Sequence, residues 1–233
     1  MEIKPIAFFR SPLKEKFGTP RQAGLVPDLP GSVEFCDGYE PAILDGLEGF
    51  DYIWLIWGFS LNNPDASVSP KVRPPRLGGN DKMGVFATRS PYRPNPLGLS
   101  SVRISSIDAS AGRISVLGAD LVDGTPIYDI KPYVEYADAH PGVRSGFASS
   151  APSVLDVVID CCVLPVSGGG HVRQGQAATG LSEDDIERLK ELLSQDPRPA
   201  YHDDPERIYG LDYAGHNVRF KVEGKVLTVL SID

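Results

Sequence analysis

Three short segments of this 233-residue chain mix cationic side chains with prolines and glycines more densely than ordinary turns require. They are SPLKEKFGTPRQAG (11–24), VRPPRLGG (72–79) and TRSPYRPNPLGLS (88–100). In the third, Pro91, Pro94 and Pro96 fix φ near about −65° and bias each preceding residue to extended backbone, so Arg89 and Arg93 project from a stiff loop. Such a loop has little entropy left to lose when a ligand arrives. Gly98 would let the backbone come close to whatever lies in the pocket. Guanidinium groups held at fixed positions suit a carboxylate or phosphate. A rigid structural loop whose arginines pair with surface acids is the competing reading. Two-residue hairpins would join strands more simply with Asn-Gly or Asp-Gly, so three such segments argue for one shared anion-binding site.

The charge distribution agrees with a local site. The net charge is −8, yet Lys71 to Arg103 holds seven basic residues against the single acid Asp81. That pattern allows an anionic ligand at one place without general affinity for polyanions. The three cysteines and four scattered histidines offer neither a bridge framework nor metal-ligand spacing, so no metal is expected and a reducing compartment is. No segment approaches the roughly 18 apolar residues of a membrane span, and a soluble, cytoplasmic protein is expected. Glycine fingerprints of Rossmann and P-loop sites, the zinc-protease HExxH and the GxSxG elbow are missing. Asp184 and Asp185 stand at a helix start, where the macrodipole accounts for them.

The elements that must position these loops are short strands. IKPIAFFR, SVEFC, FDYIWLIWGFS, MGVFATR, LSSVRISSI, RISVLGADL and PIYDIKPYV are apolar or β-branched runs bounded by Pro, Gly, Asp and Ser. Seven strands without intervening helices predict a mainly β fold, an antiparallel β-barrel spanning residues 1–140, with one short helix allowed in ILDGLEGF. Asp123-Gly124 in LVDGTP predicts a tight hairpin. HPGVRSGFASSAPS reads as a linker. Residues 151–233 read as a small C-terminal α+β domain: a strand in VLDVVIDCCVL, a Gly-rich loop, and a helix capped by Ser182 with Ile186, Leu189, Leu192 and Leu193 on one face. DPRP stops that helix, and a closing hairpin turns at Glu223-Gly224.

RSPLKEKFGTPRQAGL, VRPPRLGGNDKMGVFATRSPYRPNPLGLS and LVDGTPIYDIKPY closely resemble the signature segments of the TrmO family, also called YaeB or TsaA-like. DPRPAYHDDPERIYGL and HNVRFKV extend the resemblance to members with an extra C-terminal domain. The resemblance implies a single-sheeted barrel that binds S-adenosyl-L-methionine, works as a homodimer, and methylates N6 of threonylcarbamoyl-adenosine at position 37 of tRNAs reading threonine codons. It implies donor-binding places at Pro20, Arg21, Gln22, Ser60, Leu61, Arg89, Leu99, Asp123, Gly124, Thr125 and Pro126.

Methyl transfer from a sulfonium is an in-line displacement, so alignment is most of the task. The adenine N6 lone pair is delocalised, and a group accepting its proton is expected, with Tyr128 and Asp129 as candidates. An anticodon-loop base can be splayed out and stacked on an aromatic ring, for which Tyr92 is placed. Lys71, Arg73, Arg76 and Arg93 would meet phosphates, and Arg198 and Tyr201 would add tRNA contacts from the C-terminal domain. Two other readings stay open: a non-catalytic RNA- or nucleotide-binding barrel, and a small-molecule methyltransferase on the same fold.

Overall fold

The computed structural model describes residues 2–63, 67–74, 81–159, 181–199 and 204–233. In chain order its elements are β1 (Ala7–Arg10), β2 (Pro30–Phe35), β3 (Tyr52–Gly58), β4 (Lys71–Val72), β5 (Met83–Gly84), β6 (Leu97–Asp108), β7 (Arg113–Leu117), β8 (Pro126–Pro132), α1 (Glu135–Asp138), β9 (Asp156–Ile159), α2 (Glu183–Ser194), β10 (Tyr209–Tyr213), β11 (His216–Glu223) and β12 (Val226–Ile232). Six strands close an antiparallel barrel in the order β1-β2-β7-β6-β3-β8, with β8 returning to β1 through Ala7 opposite Ile127. Closure leaves these strands no open edge.

Alternation decides what the barrel holds. In β3, Ile53, Leu55 and Trp57 point inward and are buried, while Tyr52, Trp54 and Ile56 point outward. Val33, Val102, Ile114, Val116 and Ile127 complete the same core from the neighbouring strands. Antiparallel pairing also fixes direction: β1, β3 and β7 run toward one end, so the connections that follow them all emerge there.

Three sequence expectations are corrected. MGVFATR does not supply a seventh barrel strand: only Met83–Gly84 is extended, paired with β4 in a separate ribbon, and Val85–Ala87 forms one 3-10 turn. Its apolar run is too short to offer an inward face; Val85 is buried but Phe86 is exposed. Asp123-Gly124 is not a hairpin either, because β7 lies between β2 and β6 whereas β8 lies between β3 and β1. The turn ends a crossover instead. Gly124 takes φ 75°, its N–H donates to the Phe9 carbonyl at 2.8 Å, and the Asp123 N–H donates to the Leu13 carbonyl at 2.8 Å. The Asp-Gly pair identified a positive-φ turn, but the partner strands depend on barrel order. ILDGLEGF holds two 3-10 turns, Pro41–Leu44 and Leu47–Gly49, rather than one helix.

The C-terminal sheet runs β10-β11-β12-β9, antiparallel except for the parallel pair β12 and β9. β10 was not anticipated, since YGLDY is short and interrupted by Gly210 and Asp212. Ser182 caps α2 in a reciprocal capping box with Asp185, and Ile186, Leu189, Leu192 and Leu193 are all buried. Their core also takes in Leu13, Val26 and Leu29 from the connection between β1 and β2. Phe17 stacks against Tyr209 and Phe220, with ring centroids 6.3 and 6.4 Å apart. The apolar side chains Leu13 and Phe17 of the first cationic segment therefore pack with the C-terminal sheet, while its backbone stays bonded to the barrel's crossover.

Candidate functional site

The barrel end reached by β1, β3 and β7 joins the first and third Pro/Arg segments, while residues 75–79 of the second lie outside the described residues. Lys16 Nζ donates to Asn62 Oδ1 at 3.2 Å, and Asn62 Nδ2 donates to the Pro91 carbonyl at 2.9 Å. Arg89 Nη1 donates to Gln22 Oε1. The Val85 N–H reaches back to the Pro70 carbonyl at 3.0 Å, closing the base of the β4–β5 ribbon. Asn62 is a hub that sequence reasoning missed; a polar residue just past an apolar strand carries no local signal of what it will bridge.

The expected donor residues fall into two groups. Gln22 and Arg89 meet at the mouth, with Pro20 buried beneath. Arg21 turns the other way and donates to the carbonyls of Arg198 at 3.0 Å and Asp196 at 3.4 Å, clasping the turn after α2. Ser60 and Pro126 line a depression of about 460 Å³ together with Gly58, Phe59, Asn95, Pro96, Leu97 and Tyr128. Leu61 and Leu99 are exposed, Leu99 on the outward side of β6 opposite Ile56. Thr125 is 2% exposed and its hydroxyl donates to the Val122 carbonyl at 2.7 Å, so it shapes the turn from inside. The Asp123 carboxylate accepts the Ser11 N–H at 3.2 Å and closes the end of β1.

Tyr128 and Asp129, the candidate proton acceptors, part company. Against β3, Ile56 faces Asp129 and Trp57 faces Ile127, so Tyr128 is the extra residue of a β-bulge. Its ring lies over Gly58, where a Cβ would come within 2.9 Å of it, and so lines the depression. Asp129 instead pairs with Lys131 at 3.1 Å on the outer face.

The residues expected to meet tRNA are spread more widely. Tyr92 is 46% exposed, and Arg93 donates to the Thr88 carbonyl at 3.3 Å and sits over the exposed Phe86 ring at 5.9 Å. Lys71 and Arg73 are exposed on the ribbon side. Arg76 and Tyr201 lie outside the described residues. Arg198 does not present a free charge: its Nε and Nη2 fork onto Asp196 at 2.9 and 3.0 Å, and its side chain is 10% exposed. The Asp-Pro-Arg-Pro turn uses that guanidinium to hold its own shape, and its Arg198 carbonyl accepts from Arg21.

Gly98 also departs from expectation. The Trp57 indole, and not a ligand, occupies the space beside it; a Cβ there would lie 2.2 Å from Trp57 Cε2. The indole N–H donates to Ser100 Oγ at 3.0 Å, and Ser100 Oγ–H donates to Asp120 Oδ1 at 2.6 Å. Burial pushes Asp120 above the ordinary carboxylate range, against the pull of the Ser100 hydrogen bond and the Arg89 charge. The signal for this chain was present in the sequence: Ser100 shares an alternating face with the core residue Val102, and a hydroxyl facing a core needs a partner.

A closed β-barrel whose mouth is built of rigid cationic loops and backed by a C-terminal sheet is a two-part architecture with known relatives. Residues 8–139 match the tRNA-methyltransferase O N-terminal domain and residues 173–233 match the TrmO C-terminal domain. The chain belongs to the tRNA-methyltransferase O (TrmO) family. Over 238 aligned residues it is 37% identical to the tRNA (adenine(37)-N6)-methyltransferase of Escherichia coli strain K12, covering 100% of this chain and 97% of that protein. It is 42% identical over 175 residues to the enzyme of the same name from Eikenella corrodens, across 75% of this chain and 92% of the relative. The crystal structure of TrmO from Pseudomonas aeruginosa superposes with a TM-score of 0.75 at 30% identity, over 100% of this chain and 98% of that one.

Proposed function

We propose that this chain is an S-adenosylmethionine-dependent tRNA methyltransferase acting on N6 of adenine 37, and that its substrate is the threonylcarbamoyl-adenosine of tRNAs that read threonine codons. Full-length similarity to a tRNA (adenine(37)-N6)-methyltransferase carries the reading. The geometry supports it through one feature: loops from distant parts of the chain are tied together at a single barrel mouth.

The mouth suits the donor. A depression of about 460 Å³ falls within the range of small-ligand sites. Its lining of Pro96, Leu97, Pro126 and Tyr128 offers flat apolar walls for a nucleoside, while Ser60 and Asn95 offer hydrogen bonds to hydroxyls. Arg89 and Gln22 supply donors for the methionine carboxylate. When bound, S-adenosylmethionine supplies a methyl on a sulfonium: the N6–C bond forms as the C–S bond breaks, the electron pair stays on sulfur, and N6 gives up a proton. The chain's part is alignment and proton acceptance. Tyr128, fixed by its bulge at the edge of the depression, is the better placed of the two candidates to accept a hydrogen bond from N6. Tyr92 stacks the extruded base, and Lys71, Arg73 and Arg93 meet the anticodon-stem phosphates.

We place the enzyme in the cytoplasm as a homodimer. The outward side of β6-β3-β8-β1 carries Leu97, Leu99 and Phe8, all exposed, beside the depression, and a second copy seated there would cover it. The decisive experiment supplies labelled donor and two tRNA preparations, one lacking only this methyl group and one also lacking the threonylcarbamoyl group. Transfer to the first alone supports the full reading; equal transfer to both removes the threonylcarbamoyl requirement, and donor binding without transfer to either removes the activity. Arg89→Ala is expected to weaken donor binding severely in calorimetric titration, to an affinity still measurable at high donor concentration, with the fold intact.

A further inference from the structure

The barrel core contains a polar chain that the proposed reaction does not use. Ser100 and Trp57 point inward among Leu55, Val102 and Ile127, where apolar side chains would otherwise fill the space. The indole N–H can only donate, so Ser100 must accept from it and pass its own hydrogen onward. That hydrogen goes to Asp120 Oδ1 at 2.6 Å. Asp120 lies in the crossover between β7 and β8, flanked by the buried Ala119 and Leu121. An acid on this run has no packing purpose, and keeping a carboxylate there costs desolvation energy.

Outward from the core, the chain meets the mouth. Burial raises the Asp120 carboxyl, and the nearby Arg89 charge and Ala23 backbone pull it weakly the other way. Gln22, next to Ala23, accepts from Arg89 through Oε1 and donates through Nε2 to the Arg21 carbonyl at 2.5 Å. The crossover is itself pinned to the same connection, since the Gly24 N–H donates to the Gly118 carbonyl at 2.8 Å. Asp120 closes no direct ion pair with Arg89 among the described residues. The geometric link is the Gly24–Gly118 bond, which joins the crossover that carries Asp120 to the connection that carries Gln22.

We propose that Asp120 is a positioning residue of the methyl-transfer site, a carboxylate anchored from inside the barrel by Ser100 that sets where Arg89 and Gln22 stand for the donor. This rests on the reading of Arg89 and Gln22 as donor-binding residues. A carboxylate, and not merely an acceptor, is needed, because the group it orients is a cation. Asparagine at this position keeps the oxygen that accepts from Ser100 but drops the charge, which separates packing from electrostatics.

The test is a double-mutant cycle on the full-length protein, with donor affinity measured by calorimetry, the donor KM and kcat measured with tRNA, and the melting temperature followed for each variant. Asp120→Asn is expected to melt close to the parent, to weaken donor binding at least tenfold and raise the donor KM in step, and to leave tRNA affinity unchanged. In an Arg89→Ala background the same substitution is expected to change donor affinity less than twofold, since the group it acts through is gone. Asp120→Asn with parental donor affinity, or with a full tenfold effect that persists without Arg89, overturns the proposal. If Arg89→Ala alone leaves donor affinity unchanged, the donor-site reading fails instead, so the two failures are told apart. Should Asp120→Asn not fold, Ser100→Ala removes the anchor while leaving the charge; a several-fold loss of donor affinity supports the proposal and none overturns it.

Discussion

Replacing Gly98 with alanine adds one methyl group to the inside of the barrel. A Cβ at this position lies 2.2 Å from Trp57 Cε2, 2.4 Å from Cζ2 and 2.6 Å from Cδ2. Carbon atoms pack at about 3.5–4.0 Å, so the indole must retreat by more than about 1 Å. Its room to do so is small. The N–H is held by Ser100 at 3.0 Å, and Phe59 stands edge-on with ring centroids 4.4 Å apart. Gly98 is not among the positive-φ glycines, so alanine meets no backbone strain and gains about 0.4–1 kcal/mol from a less free unfolded chain. Against that, overpacking costs about 1–3 kcal/mol, and a misaligned indole hydrogen bond about 1 kcal/mol more. The net expectation is a loss of about 1–3 kcal/mol, read as a lower urea midpoint at unchanged m-value. Donor affinity should fall as well, because a displaced Trp57 releases Ser100 and with it Asp120. Trp57→Leu empties the contested space, so adding Gly98→Ala to it should cost little. Parental stability in Gly98→Ala, or an equal penalty in the Trp57→Leu background, refutes the packing argument.

Ser182→Ala removes one half of the capping box and is expected to cost about 1 kcal/mol in chemical denaturation. The Ser182 hydroxyl, more than any other neighbour, holds the Asp185 carboxyl below its ordinary 3.8. A lowered folded-state value adds stability that is present above pH 3.8 and lost as pH falls through the folded value, so the stability gap between parent and Asp185→Asn should close below pH 3.8. Leu29→Ala, at a side chain 1% exposed in the second core, is expected to cost about 2–5 kcal/mol although residue 29 lies far from the C-terminal strands in sequence; a loss below 1 kcal/mol by urea titration would show that the β1–β2 connection is not part of that core. Lys71→Ala and Arg73→Ala should each lower the slope of log binding constant against log salt for tRNA by about 0.7–0.9 and leave donor affinity alone.

Much of the fold could be read locally. An apolar, aromatic run in FDYIWLIWGFS identified β3, though not which face turns inward, and a 3.6-residue period with a Ser cap identified α2 almost to the residue. The cationic loops were legible because proline and arginine together are unusual in turns. Pairing was harder: Asp123-Gly124 looks identical whether it closes a hairpin or ends a crossover, and only the strand order separates the two. Arg198 reads as an available cation until its fork onto Asp196 is seen. Gly98 reads as room for a ligand until the indole of Trp57 is found there.

The sequence by itself determined which residues alternate, where turns must bend and which loops carry charge, since these follow from side-chain type and near-neighbour spacing. The tertiary structure alone decided that the first and third loops share one barrel mouth, that apolar residues of the first pack with the C-terminal sheet, and that Trp57, Ser100 and Asp120 form a hydrogen-bonded chain. Those outcomes depend on strand direction and barrel closure. Contacts between residues tens of positions apart leave no periodicity in the chain for a local reading to find.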